Sequence, residues 1–255
     1  MKSIHQLLDI MAQLRDPNHG CPWDVEQSFD SLTTYTIEEA YEVADTIDQK
    51  DFVHLKEELG DLLFQVIFYS QIAKEKSLFE FNDVVEELNR KMIHRHPHVF
   101  KKNHKKVNAD EQSKVWESNK LKNKDSVLDD IPKNLPGMLR SVKLTKRAAV
   151  IGFDWPNINP IFEKFDEEIS ELKEAMIEGK MDRIKDELGD VLFVCTNLAR
   201  HLKIDPELAI RHANNKFENR FRAVESLAKT QQPELTRFSL ETLDVLWNVV
   251  KNKEK

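Results

Sequence analysis

The chain repeats itself. KEELGDLLF at 56–64 and KDELGDVLF at 185–193 share seven of nine residues and lie 129 positions apart. The same offset relates IEEAYEVADTI (37–47) to DEEISELKEAM (166–176), and further upstream GCPWD (20–24) answers GFDWP (152–156). Two copies with so long a period do not build an array; they mark a duplicated domain. One unit starts near Met1 and the other near Pro136. Between them KKNHKKVNADEQSKVWESNKLKNKDS (101–126) has a helical signal only around Val115 and Trp116, and DSVLDDIPKNLP has the turn residues of a linker. The expected domains are therefore 1–125, an N-terminal unit with its linker, and 126–255.

Within the repeat, apolar residues recur at helical spacing. Ile184, Leu188, Val191, Cys195, Leu198 and Leu202 advance by four, three, four, three and four residues, and Leu55, Leu59, Leu62, Val66, Tyr69 and Ala73 take the same steps. The preceding helix carries Phe165, Ile169, Leu172 and Met176, with a thinner counterpart in Thr36, Ala40, Val43 and Ile47. No segment alternates as a strand would, and six Gly and nine Pro in 255 residues are too few to punctuate many strands. The expected fold class is all-α. Cys195 falls on the apolar stripe, which predicts a buried structural thiol. With Cys21 it is one of only two cysteines, too few for a disulfide framework, so a reducing cytoplasm is the expected setting. MKSIHQLLDIMAQLRD reads as an amphipathic helix rather than a signal peptide, and no apolar run reaches the ~18 residues of a membrane span.

The net charge of −7 is unevenly placed: Glu163 to Asp190 holds eleven acids against five bases, and Ile37 to Asp61 nine against two. Such surfaces repel duplex nucleic acid, and no stable nucleic-acid partner is expected. With Phe165 and Ile184 as the zero of their helices, Glu168 and Glu187 lie at about −60° and Glu171 and Asp190 at about −120°. Each helix thus carries an i, i+3 acid pair on the shoulder of its apolar face, and antiparallel packing turns both pairs into one cleft. Glu39, Glu42, Glu58 and Asp61 repeat the pattern. Four carboxylates in one cleft need protons or a cation. Oxygen-only ligands favour a hard ion, Mg²⁺ before Mn²⁺. A di-iron bundle is disfavoured, because neither copy has an ExxH motif. Gly60 and Gly189, each just before the Asp, cost a helix about 0.5–1 kcal/mol relative to Ala, with close packing the plainer reason and access to the site the other.

The ordered sets Glu38-Glu39-x-x-Glu42 with Glu58-x-x-Asp61, and Glu167-Glu168-x-x-Glu171 with Glu187-x-x-Asp190, resemble the EExxE…ExxD signature of MazG-type nucleoside triphosphate pyrophosphohydrolases. LRDPNHGCPWD (14–24), YTIEEAYEV (35–43) and RHPHVF (95–100) in the first copy, and NLARHL (197–202) and ANNKFENRF (213–221) in the second, extend the likeness over most of the chain. The resemblance implies two tandem helical bundles, assembled as a homodimer. It also implies Mg²⁺-dependent cleavage of nucleoside triphosphates between the α and β phosphates, giving a monophosphate and pyrophosphate, as a housecleaning of the nucleotide pool. By the family pattern Glu168, Glu171, Glu187 and Asp190 hold the metal and serve catalysis, and Lys216 and Arg220 contact the triphosphate. Glu39, Glu42, Glu58 and Asp61 are the corresponding metal candidates of the first copy. The second copy is expected to be the main catalytic unit.

Lys216 and Arg220 are spaced i, i+4, so one helix face presents both. Lys91 and Arg95 stand in similar places in the first copy, but there Pro97 should end or bend the helix. Pro97 also breaks any i, i+4 pairing among His94, His96 and His98, so a structural or surface role is expected for them rather than zinc binding. Trp247 offers either a ring for a base or a cap on the helix carrying Leu243, Leu246 and Val250, core packing being the plainer reading. Arg183 and Asn197 are further candidates for nucleotide contact. Two non-enzymatic readings also suit such a chain: a helical scaffold for a basic partner, and a nucleotide sensor that binds without turnover.

Overall fold

The computed structural model describes residues 2–100, 108, 125–231 and 238–253, and every regular element among them is a helix. The segment around Val115 and Trp116 lies outside the described residues. Packing divides the chain into two bodies, Met1–Lys106 and Val107–Lys255.

The first body contains α1 (Lys2–Leu14), α2 (Pro22–Glu26), α3 (Thr33–Gln49), α4 (Leu55–Glu75), α5 (Phe81–Arg95) and a short α6 (Pro97–Phe100). Helices α3 and α4 form a hairpin, with α1 and α5 packed on α4. Met11, Leu32, Ile67, Phe68 and Ile72 make the core, and Ile4, Leu7 and Leu8 of α1 close over it. The amphipathic N-terminal segment is thus a packed helix. The link from α1 to α2 is held by Arg15. Its guanidinium bonds both carboxylate oxygens of Glu75 at 2.8 and 2.6 Å, donates to the carbonyls of Asp24 and Gln27, and lies 5.4 Å from the Phe68 ring centre. Gly20 sits inside the same turn, where a Cβ would stand 2.4 Å from the Leu14 carbonyl oxygen and 2.5 Å from that of Asp16. Helix α5 stops at Arg95 and the chain restarts at Pro97, as the proline dictates. His94, His96 and His98 join no metal-holding group among the described residues.

The second body contains α7 (Gly137–Val150), α8 (Asn159–Glu178), α9 (Met181–His201), α10 (Pro206–Gln231) and α11 (Leu240–Lys253). Residues 125–136 form turns without helix. Helices α8 and α9 make the hairpin equivalent to α3–α4; α7 packs on α9, α10 on both α7 and α9, and α11 on α10. The Ser141 and Thr196 hydroxyls hydrogen-bond at 2.5 Å and join α7 to α9. Among the described residues no helix is long and apolar enough to cross a membrane.

Two expectations fail. Cys195 is exposed, not buried, and Leu188 and Leu202 on the same line are about half exposed. The buried residues of α9 are Val191, Val194, Thr196 and Asn197. Val191 and Val194 lie at about −20° and −80° from Ile184, so part of the buried face is turned from the apolar stripe toward Glu187, while Thr196 bonds Ser141 of α7. Glu187 therefore turns partly inward while Asp190 stays exposed, and Leu188, Cys195 and Leu202 of the stripe face out although Val191 stays buried. Gly60 and Gly189 are also not close-packed: a Cβ at either would meet nothing within 4 Å.

Candidate metal and substrate site

That rotation assembles the site. Glu168 of α8 is 5% exposed, and Glu171 of α8 and Glu187 of α9 are half-buried beside it. One carboxylate oxygen from each of the three lies within 4.8 Å of the others. Asp190 is exposed and stands outside this trio. Burial, then the charges of Glu187 and Glu168, raise the Glu171 pKa above its ordinary 4.5. Glu168 is answered by Lys164, whose ammonium lies 2.8 Å from it and 2.8 Å from Glu167. Those bonds hold the Lys164 pKa well above the usual lysine range. Arg183 pairs with Glu178 and reaches Glu187 at 3.4 Å, so this sequence candidate does join the acidic cluster.

The first body has a related but different cluster. Glu39, Glu58 and Asp61 bring oxygens within 4.8 Å of one another, and here Glu42 is the acid left outside. Burial, then Asp61 and Glu42, raise the Glu39 pKa; burial, then Glu42 and Asp61, raise that of Glu58. Gln65, 6% exposed, lies against Glu39 and partly offsets its shift, while its own Oε1 is buried with no hydrogen-bond partner.

These donor sets fit a hard divalent cation. Both consist of oxygens alone, and both crowd carboxylates whose mutual repulsion protons or a cation relieve.

The remaining candidates are dispersed. Lys216 is exposed on α10, and Arg220, one turn on, has its guanidinium 5.9 Å from the Trp247 ring centre. Trp247 is half-buried against Phe217, with ring centres 5.5 Å apart, over a core of Val224, Ala228, Leu246 and Val250. Asn197 is buried two turns of α9 beyond Asp190, accepting a bond from Arg200 Nε at 2.8 Å. Sequence reasoning missed Lys164 and Gln65. Each stands four residues from a motif acid, Lys164 before Glu168 and Gln65 after Asp61, and that spacing was the available signal.

A helical hairpin presenting carboxylates from both arms occurs twice, an all-α architecture with two acidic clusters that could hold a metal ion. Comparison with known proteins agrees: the model of the MazG nucleotide pyrophosphohydrolase domain matches residues 27–100 and 160–225. A nucleoside triphosphate pyrophosphohydrolase of Escherichia coli K12 is 45% identical, over 100% of this chain and 99% of its own. The nucleoside triphosphate pyrophosphohydrolase/pyrophosphatase MazG of Thermotoga maritima is 39% identical, over 99% of this chain and 97% of its own. A crystal structure of a MazG-related protein from Thermotoga maritima covers 46% of this chain and 99% of its own, at 28% identity and a TM-score of 0.39. The chain belongs to the MazG nucleotide pyrophosphohydrolase family.

Proposed function

We infer that the chain is a nucleoside triphosphate pyrophosphohydrolase that releases pyrophosphate and a nucleoside monophosphate, with its main site on the α8–α9 hairpin. The observation that carries the reading is the trio Glu168, Glu171 and Glu187, crowded within 4.8 Å on a partly buried wall. These three, with Asp190 at their edge, would hold Mg²⁺, or Mn²⁺ in its place; Glu39, Glu58 and Asp61, with Glu42 at their edge, would do so in the first body. The bound ion supplies polarisation of the phosphate oxygens and an acidified water.

The chain's own groups divide the remaining work. Glu168 already has a cation partner in Lys164. Glu187 pairs with Arg183 as Glu168 does with Lys164, which leaves Glu171 as the acid assigned to orient the attacking water. Arg183, at the start of α9, supplies positive charge toward the departing pyrophosphate, and Lys216 and Arg220 supply it from α10. Trp247 holds the Arg220 guanidinium against its ring and so sets where that charge points. The protein works in the cytoplasm on the nucleotide pool, a setting that suits its two free cysteines. It has no stable nucleic-acid partner, in keeping with the acidic hairpins. It is a homodimer, a reading supported by the apolar residues left half exposed along α4 and α9, among them Leu59, Leu63, Leu188 and Leu192.

The test replaces Glu187 and, separately, Glu58 with Gln and measures pyrophosphate release with Mg²⁺. Glu187→Gln should lower kcat by ~100-fold or more, since a metal ligand supplies several kcal/mol of transition-state stabilisation. Glu58→Gln should leave most of the activity. Equal losses would end the division of labour, and triphosphate binding without any turnover would make the protein a sensor.

A further inference from the structure

The two acidic clusters differ in what answers their charge. In the second body Lys164 lies 2.8 Å from Glu168 and Arg183 3.4 Å from Glu187, so two of the three converging acids have a cation within the chain. The 129-residue offset puts Tyr35 where Lys164 stands, His54 where Arg183 stands and Gln65 where Val194 stands. His54 is turned to Asp51, with its Nδ1 2.5 Å from that carboxylate. Among the described residues no lysine or arginine pairs with Glu39, Glu58 or Asp61.

We propose that the first-body cluster is a standing structural site for a divalent cation, filled without nucleotide and built with the help of Gln65, whereas the second body takes its ion together with the triphosphate. The proposal rests on the reading of both hairpins as holders of a hard divalent ion. In this role the ion joins α3, through Glu39, to α4, through Glu58 and Asp61. The first copy of the motif then serves to hold its own hairpin together.

Gln65 is the first argument. It is 6% exposed, and its side chain hydrogen-bonds Glu39 across the hairpin. An ionised carboxylate only accepts, so the amide donates with Nε2. The other end of the amide, Oε1, is buried with no hydrogen-bond partner. Ionised carboxylates have no proton to give that oxygen, whereas a cation, or a water held on one, satisfies it. On α4 Gln65 follows Asp61 by four residues and Glu58 by seven, so the three side chains leave the helix within about 60° of one another. A neutral oxygen on that face adds a polar partner for an ion without adding repulsion between the acids. Val194, on the equivalent turn of α9, offers neither the bond to the facing acid nor the oxygen.

Charge is the second argument. Three crowded carboxylates attract a divalent ion, and each fixed cation beside them weakens that attraction. The second cluster has Lys164 and Arg183 beside it and gains less from a bare ion. A triphosphate brings negative oxygens that offset those two cations, so an ion arriving with it is favoured there. In the first body the place of the ammonium is taken by Tyr35, a neutral ring lying edge-on to Trp23 with centres 5.7 Å apart. Repulsion among the acids is therefore left for an ion to relieve.

The experiment titrates the full chain with Mn²⁺ in the absence of nucleotide, reading free Mn²⁺ by electron paramagnetic resonance, with Mg²⁺ as competitor. The wild type should show one tight site per chain from which Mg²⁺ displaces the probe. Glu58→Gln should weaken that site by at least ~10-fold, and Glu187→Gln should leave it within about twofold. Gln65→Val, which installs the residue of the second body, should weaken it by about tenfold, because the partner orienting Glu39 is lost. Tyr35→Lys, which installs the ammonium, should weaken it by about tenfold or more. Tyr35 is 38% exposed, so this change tests the charge without opening a core, and circular dichroism checks each variant for its helices. A tight site lost in Glu187→Gln and kept in Glu58→Gln overturns the proposal. So does a site unmoved by Gln65→Val or by Tyr35→Lys. A wild type that binds no Mn²⁺ without nucleotide but releases pyrophosphate with Mg²⁺ overturns the standing site and leaves the pyrophosphohydrolase reading intact. Absence of both binding and turnover overturns the two together.

Discussion

Position 65 holds glutamine where its counterpart, 194, holds valine, and 68 holds phenylalanine where 197 holds asparagine. These exchanges set the two hairpins apart: Gln65 lies against Glu39, and Phe68 is buried in a core where Asn197 bonds Arg200. The acids themselves carry strain that titration exposes. Glu39, Glu58 and Glu171 have pKa values raised above the ordinary 4.5, each first by burial and then by neighbouring carboxylates. At pH values between 4.5 and those raised values the folded chain retains protons that the unfolded chain has released. Stability therefore falls as pH rises through that window, and the full penalty stands above it. Mg²⁺ held there as proposed would bind only the folded, deprotonated clusters and so would offset that penalty. The thermal midpoint should rise on adding Mg²⁺ at pH 7, and the increment should shrink as pH falls toward 4.5. A melting series with Mg²⁺ or a chelator tests this; an increment independent of pH would mean the cation binds elsewhere. Below that range a separate loss begins. Burial pulls the Asp154 pKa up, but the bonds from Arg200 and His201 outweigh it and hold it below 3.8, so protonation there removes their contribution.

The helices themselves were legible from apolar spacing. Both hairpins appear where the repeat places them, and Pro97 and the 125–136 segment interrupt helix as their residues require. What spacing could not show is which side of the apolar arc a neighbour covers. Cys195 was misplaced on that account: the buried residues of α9, Val191, Val194, Thr196 and Asn197, do not follow the stripe. Connections between elements were also hidden, Arg15 above all. It joins α1, α2 and α4 through two carbonyls, one carboxylate and one ring, each far from it in sequence or reached only by the turn at Gly20. Its side chain is 7% exposed, so Arg15→Gln removes a buried guanidinium's bonds to two carbonyls and to Glu75. The expected cost is about 2–4 kcal/mol in urea unfolding of the full chain. A change below about 0.5 kcal/mol would show that the cluster is ornamental to stability.

For the whole molecule, duplication, all-helical bundles and the order of the acidic motifs follow from the chain read end to end. The proposed homodimer draws on surface left uncovered: Leu188 and Leu192, both on the packed helix α9, are 47% and 49% exposed. Leu192→Glu should convert a dimer to monomer in light scattering while circular dichroism keeps its helical signal, and an unchanged mass would remove α9 from the interface. The sequence by itself determined the repeat, the helices and the eight carboxylates, because these depend on residue type and on spacing within one helix. The tertiary structure alone decided that three acids of each four converge, that a lysine neutralises Glu168, and that Asn197 borders an open cavity where Phe68 is buried in a core. Those outcomes depend on the rotation of each helix against its partner, which is set by packing volume rather than by periodicity.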